Sequence, residues 1–303
     1  MEGMLFHQQK GKFIVFGESE LSSMVFSPDM QIVATANRDD GNVNLWDRHG
    51  SFLRTLERES GHPVVRMAFS PNGQILAAGG KNGEIQLWHV ESGTLTVSMC
   101  EHHTRVTGLS FSPDGRLLVS GGREGNLLLW SVVGDSILPP RVLVKSTVGV
   151  RGVAFSTDGQ MVALGVGHKV CLLNVADGTI SRVLEVRYDR DGGVESLAFS
   201  PDKQTLAVGY ELGRIHRWRV ADGERIGILD EHQGRIRHLS FSSDGQFLAS
   251  GASDGSVILW RVSDGEFLHL MDEDANVIGL AFSSDGKILA AGFDAGFARL
   301  WWE

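Results

Sequence analysis

An all-β ring of seven small antiparallel sheets is the fold this sequence predicts, and three observations predict it. First, one segment recurs seven times. Its anchors are Phe26, Phe69, Phe111, Phe155, Phe199, Phe241 and Phe282, each followed by a serine, at intervals of 43, 42, 44, 44, 42 and 41 residues. A period that regular marks a repeat architecture. Second, a tryptophan stands nineteen residues after the anchor in five copies and twenty after it in the first: Trp46, Trp88, Trp130, Trp218, Trp260 and Trp301. The fourth copy has Leu173 there. Third, the last copy ends at Trp301-Trp302-Glu303, one strand short, while a spare apolar segment precedes the first copy.

The second copy displays the strands best: Val64 to Ser70, Gln74 to Gly80, Glu84 to Val90 and roughly Thr94 to Cys100. Between the first two, Ser70-Pro71-Asn72-Gly73 sets proline at the second turn position, where its fixed φ fits, and glycine at the fourth. Ser112-Pro113-Asp114-Gly115 repeats that chemistry. Asp40-Gly41, Asn82-Gly83, Glu124-Gly125 and Asp254-Gly255 supply the positive φ of a tight hairpin between the next two strands. A third turn follows each third strand, as at Ser92-Gly93, Asp177-Gly178, Asp222-Gly223 and Asp264-Gly265. Three turns per period make a four-stranded meander.

The strand interiors are apolar on both faces, as in Ile75-Leu76-Ala77-Ala78 and Leu117-Leu118-Val119, so each sheet must be covered on both sides by its neighbours. Gly79-Gly80 and Gly121-Gly122 weaken a strand unless another sheet needs the room. Radial stacking about an axis satisfies both demands for seven equal units. A solenoid would satisfy them too, but it needs distinct end caps. The missing fourth strand of the last copy is expected at the other end of the chain, where Lys12 to Gly17 should pair beside Phe297 to Trp302 and leave no free edge.

Composition agrees with one globular domain spanning residues 1–303. Hydrophobic residues make up 42% and charged residues 21%, and no apolar run approaches the roughly 18 residues of a membrane span. No basic stretch followed by an apolar one opens the chain, and two cysteines, Cys100 and Cys171, cannot form a disulfide framework, so a cytoplasmic location is expected. The net charge of −9 argues against nucleic acid or an anionic membrane as partner.

These repeats resemble the WD-repeat beta-propellers, over practically the whole chain. The resemblance implies a single seven-bladed beta-propeller of four-stranded antiparallel blades, its ring closed by the N-terminal strand. The family's pattern links a histidine before the first strand, a Ser/Thr in the second, an Asp in the following turn and the tryptophan of the third. It is complete in the sixth copy, with His232, Ser250, Asp254 and Trp260, where the imidazole is expected between serine and aspartate as a structural network. The third copy nearly matches, with His102, Ser120, Glu124 and Trp130. The first has Thr35, Asp40 and Trp46 without the histidine. Copies four, five and seven lack most of the polar set and are expected to be held by apolar packing.

No catalytic constellation stands out. Ser27, Ser70, Ser112, Ser156, Ser200, Ser242 and Ser283 are one turn residue repeated. Cys100, His102 and His103 lie close in sequence but lack the paired ligand spacing of a structural zinc site. Asp189-Arg190-Asp191-Gly192-Gly193 lacks the later acidic ligand of a calcium loop and is read as a solvated loop. Cys171, within an apolar strand, is read as a buried structural thiol. Neither a metal nor a cofactor is expected.

The function expected is that of a non-catalytic scaffold for a protein or peptide, monomeric by itself. The alternatives are a sensor propeller within a larger bacterial signalling assembly and a small-molecule hydrolase or lactonase propeller. The candidate binding rim lies where the loops entering the first strands meet the Asp-Gly turns. Lys81, His103, Arg105 and Arg123 form a basic sector there. Glu18, Glu20, Asp39, Asp274 and Asp294 form an acidic one. An acidic segment of a partner would be steered to the basic sector.

Overall fold

The structure is a computed structural model and describes residues 12–17, 20–58, 61–134, 136–186 and 188–302. Seven antiparallel sheets follow one another around a central channel, and four strands in sequence order run from the channel outward in blades one, two, four, five and six. The innermost strands are Leu21–Phe26, Val64–Phe69, Val106–Phe111, Val150–Phe155, Val194–Phe199, Ile236–Phe241 and Val277–Phe282. Each adjoins the next, and Leu21–Phe26 adjoins Val277–Phe282, which completes the ring.

Closure is made from the start of the chain. Lys12–Val15 pairs antiparallel with the last strand, Lys12 opposite Leu300 and Val15 opposite Phe297, and the Phe16 N–H continues the ladder to the Gly296 carbonyl at 2.8 Å. The joint is packed as well as bonded. Phe13 stacks on Phe297 with centroids 4.6 Å apart, and Phe297 stacks on Phe293 at 4.7 Å. Ile14 and Phe16 are buried with Leu21 and Met24 of blade one.

Blade three departs from the four-strand plan. Its third strand, Asn126–Val133, runs long, and its tip pairs with a short return strand, Ser136–Ile137, before the outer strand Arg141–Lys145 takes up the ladder. Gly134, at φ 58°, permits the reversal. Pro139 and Pro140 cannot donate to a ladder, so the chain steps out of the sheet there.

The turn between the first two strands has one construction in all seven blades. The serine hydroxyl donates to the Asp or Asn two residues on, at 2.5–2.7 Å, and accepts the N–H five residues on at 2.9 Å. The fourth position has positive φ throughout. Glycine fills it in five blades, whereas Met30 (φ 56°) and Lys203 (φ 62°) fill it in blades one and five.

Glycines in the second strands set the blade spacing. A Cβ on Gly79 would lie 2.5 Å from a Val106 methyl, one on Gly121 would lie 2.6 Å from Val150, and one on Gly251 would lie 2.5 Å from Val277. In each pair the second residue opens the inner strand of the next blade, so the missing side chain is what lets neighbouring sheets close on each other. One irregularity bears on the channel. All seven inner strands carry a register shift near their start, at the second residue in six and at the third, Gly152, in blade four, a bulge of the kind that re-aims side chains.

Candidate functional site

In blade six the second and third strands bring Ser250 and Trp260 side by side, and the loop before the inner strand carries His232 inward. Trp260 Nε1 donates to Ser250 Oγ at 2.8 Å, and Ser250 Oγ lies 2.7 Å from His232 Nε2. The aspartate is reached through a residue absent from the sequence pattern. His232 Nδ1 lies 2.6 Å from Ser256 Oγ, which donates to Asp254 Oδ1 at 2.6 Å, whereas Nδ1 and Asp254 Oδ2 are 3.6 Å apart. The imidazole lies between serine and aspartate, with the Ser256 hydroxyl intervening on the aspartate side.

The proton order follows from the ends of this chain, because an indole N–H only donates and a carboxylate only accepts. Ser250 therefore donates to Nε2, and Nδ1–H donates to Ser256. Asp254 also accepts the backbone N–H groups of Gln233 and Gly234 at 2.6 and 3.0 Å, fixing the entry loop. Burial pushes its carboxyl upward, but the nearby His232 imidazole and the hydrogen bonds from Ser256 outweigh it and hold the pKa well below the usual range.

Blade three repeats the arrangement with a longer acid. Trp130 Nε1 donates to Ser120 Oγ at 2.8 Å, His102 Nε2 lies 2.7 Å from that oxygen, and His102 Nδ1 meets Glu124 Oε1 directly at 2.5 Å. Thr104 caps the second carboxylate oxygen. In blade one, Trp46 Nε1 donates to Thr35 Oγ1 at 2.8 Å, and Asp40 caps its own turn through the Asn42 N–H at 2.9 Å.

Two blades carry polar networks that the family pattern does not contain. In blade two the fully buried Arg58 guanidinium bonds Glu84 at 2.7 Å, Gln86 at 2.5 Å and the His62 carbonyl at 3.1 Å. Blade five was expected to be held by apolar packing, yet His216 Nε2 donates to Asp191 Oδ1 at 3.1 Å. Asp191 is only 4% exposed, so the reading of its segment as a solvated loop is corrected. The segment instead forms a single helical turn, Tyr188–Asp191, that turns this carboxylate inward. Burial drags the His216 pKa down against the pull of Asp191. Leu173, in the tryptophan position of blade four, packs in an apolar cluster with Val119 and Leu129 of blade three.

The rim residues lie where the bulged ends of the inner strands meet the second-to-third-strand turns. The Arg123 N–H bonds the Arg105 carbonyl at 3.0 Å, and the Lys81 N–H bonds the Pro63 carbonyl at 2.9 Å. Lys81, His103, Arg105 and Arg123 are all exposed. On the acidic side, Arg38 joins Glu20 at 2.5 Å and Asp294 at 3.8 Å, and Asp294 also accepts from Asn276 at 2.9 and 2.7 Å. Asp39 and Asp274 are exposed, and Glu18 lies outside the described residues.

The basic sector continues into the channel, a feature sequence reasoning missed. Arg66, Arg105, Arg237 and His238 share a wall there with Glu195, and Arg151 pairs with Glu195. The signal was present as the second or third residue of the inner strand in blades two, four, five and six. Reading it needs the bulge and the radial convergence. Among the described residues no group of three or more His, Cys, Asp or Glu side chains is placed to hold a metal. No helix there is long and apolar enough to cross a membrane. Cys100 and Cys171 are both free thiols, and burial pushes the Cys171 pKa up.

The family model described as IFT140 first beta-propeller matches residues 19–149 and 165–269, and the model of the WD domain, G-beta repeat, matches residues 265–301. No curated protein matches the chain. A chain in the crystal structure of the mitotic checkpoint complex superposes with a TM-score of 0.82 at 23% identity, over 96% of this chain and 91% of that one, a likeness of fold. Seven meandering four-stranded blades, tryptophan–serine–histidine networks in two of them and the two family matches lead to one conclusion: the chain belongs to the WD-repeat beta-propellers, in the family of the IFT140 first beta-propeller.

Proposed function

We propose that the chain, acting as one domain over residues 1–303, is a non-catalytic platform that docks an acidic segment of a protein partner on the sector formed by Lys81, His103, Arg105 and Arg123. The observation that carries this reading is a contrast across one rim. Arg105 and Arg123 have no hydrogen-bond or ion-pair partner for their side chains among the described residues, whereas Glu20 and Asp294 already share Arg38. On a chain of net charge −9, an unneutralised cationic sector attracts an anionic segment and raises its association rate. Free thiols agree with a cytoplasmic setting, and a ring whose last blade is completed by a strand of the same chain agrees with a monomer.

A hydrolase of the metal-dependent kind would need carboxylates and histidines facing one another at the channel mouth. That mouth gathers guanidiniums instead. A sensor beside an effector chain is the same reading with the effector as partner. The test is affinity capture with the full chain at low salt, followed by association kinetics for the recovered partner. Combining Arg105→Glu with Arg123→Glu should slow association at least tenfold at low salt, less at high salt, with a melting temperature no lower than that of the wild type. Binding at the wild-type rate would remove this sector as the docking site.

A further inference from the structure

The channel mouth holds a charge arrangement that blade packing does not require. Arg66, Arg105, Arg151 and Arg237 come from blades two, three, four and six and lie close enough to act on one another. One carboxylate, Glu195, faces them and is already paired with Arg151. The side chains of Arg105 and Arg237 have no hydrogen-bond or ion-pair partner among the described residues. Arg66 is held in place by two backbone carbonyls, Thr107 at 2.9 Å and Val65 at 2.8 Å. Burial, together with the neighbouring arginines, pulls its pKa down to about 10, so it stays charged at neutral pH. His238 is pushed down to about 3 by burial and by Arg66 and Arg237, and it adds no positive charge.

Unpaired like charges repel, and the fold alone gains nothing from gathering them. Their forks of N–H donors match the oxygens of an oxyanion, and several forks arriving from different blades match a tetrahedral one. The channel cavity lined by Arg66, Arg105 and Arg237 together with Glu195 and His238 measures about 210 Å³, enough for a single compact anionic group. Glu195 offsets one of the four positive charges, and a dianion would offset two more, which a lone carboxylate cannot do.

We propose that the channel mouth is a binding site for a phosphate monoester dianion, gripped by Arg66, Arg105 and Arg237 with Arg151 beside them. This goes beyond the docking of an acidic segment: the site lies inside the channel and takes a phosphate ester whether free or carried on a partner's side chain. The cluster is then a stability cost kept for binding.

The test uses the full chain and the variants Arg105→Gln and Arg237→Gln, alone and combined, neither side chain having a hydrogen bond or ion pair among the described residues to lose. In phosphate-free buffer at low ionic strength each variant should melt higher than the wild type. Inorganic phosphate and O-phosphothreonine should raise the wild-type melting temperature above that in chloride of equal ionic strength, and the double variant should bind O-phosphothreonine at least tenfold more weakly. The site is overturned by a chloride effect as large as that of phosphate, or by a double variant that binds as the wild type does. A second arm compares one acidic peptide bearing phosphothreonine, threonine or glutamate at its centre. Phosphopeptide binding tenfold tighter than free O-phosphothreonine assigns the ester to a partner chain, and equal affinities assign it to a small molecule. Equal binding of the phosphothreonine and glutamate peptides, lost in the Arg105→Glu and Arg123→Glu variant, would leave acidic docking standing and reject the phosphate site.

Discussion

At the scale of single residues, the blade-six network turns on two hydroxyls, of which only Ser250 belongs to the repeat pattern. Ser256 carries the contact from the imidazole to Asp254. Removing it leaves a buried Nδ1–H and a carboxylate oxygen short of partners, which costs about 1–3 kcal/mol. Ser256→Ala should therefore destabilise the protein by an amount in that range, and Asp254→Ala by at least as much, because Asp254 also holds two backbone N–H groups of the entry loop. Chemical denaturation of both variants measures this. The network's role here is structural, so partner affinity should be unchanged where the variants stay folded; normal stability with lost binding would make it a functional site instead.

At the scale of elements, the recurrent serine turn gives the fold an acid sensitivity with a defined sign. The Asp158 pKa is depressed to about 2, first by the Ser156 hydroxyl, against burial, and further by Lys203; Asp114, Asp202 and Asp285 are depressed in the same direction by their own serines. A carboxyl with a folded pKa below its unfolded value of about 3.9 contributes stability that is present above that value and lost as pH falls toward the folded one. Stability should therefore drop between about pH 4 and pH 2. Ser156→Ala should lower stability at pH 7 by about 1 kcal/mol and make the loss over that interval smaller, as urea melts across the interval would record.

The same elements show what the sequence could express. Turns, strands and blade count were legible because each depends on residues a few positions apart, as in Ser70-Pro71-Asn72-Gly73. The blade-six histidine was legible from a fixed offset. Ser256 was not, since it replaces a direct contact by a relay that no spacing encodes. Arg58 and Asp191 were missed because both reach their blades from connecting segments, and the channel arginines because their meeting depends on seven bulges and the closure of the ring.

At the scale of the whole molecule, both ends of the chain share the last blade. Burying Ile14 and Phe16, 3% and 6% exposed, contributes roughly 1.5–3 kcal/mol each. Deleting residues 1–18 should lower the melting temperature by on the order of 10 °C, given about 2–4 °C per kcal/mol for chains somewhat smaller than this one, or cause aggregation through the bared edge of Phe297–Trp302. An unchanged melting curve would contradict closure by this strand.

The ring also defines two opposite faces, one carrying the channel mouth and the arginines, the other the seven serine turns. Hydrogen exchange of the full chain with and without its captured partner distinguishes them most directly. Protection is expected at residues 81–83, 103–107 and 123–125, around the basic sector. Protection confined to residues 70–73 and 112–115, with the arginine side of the ring unchanged, would contradict docking at the channel mouth.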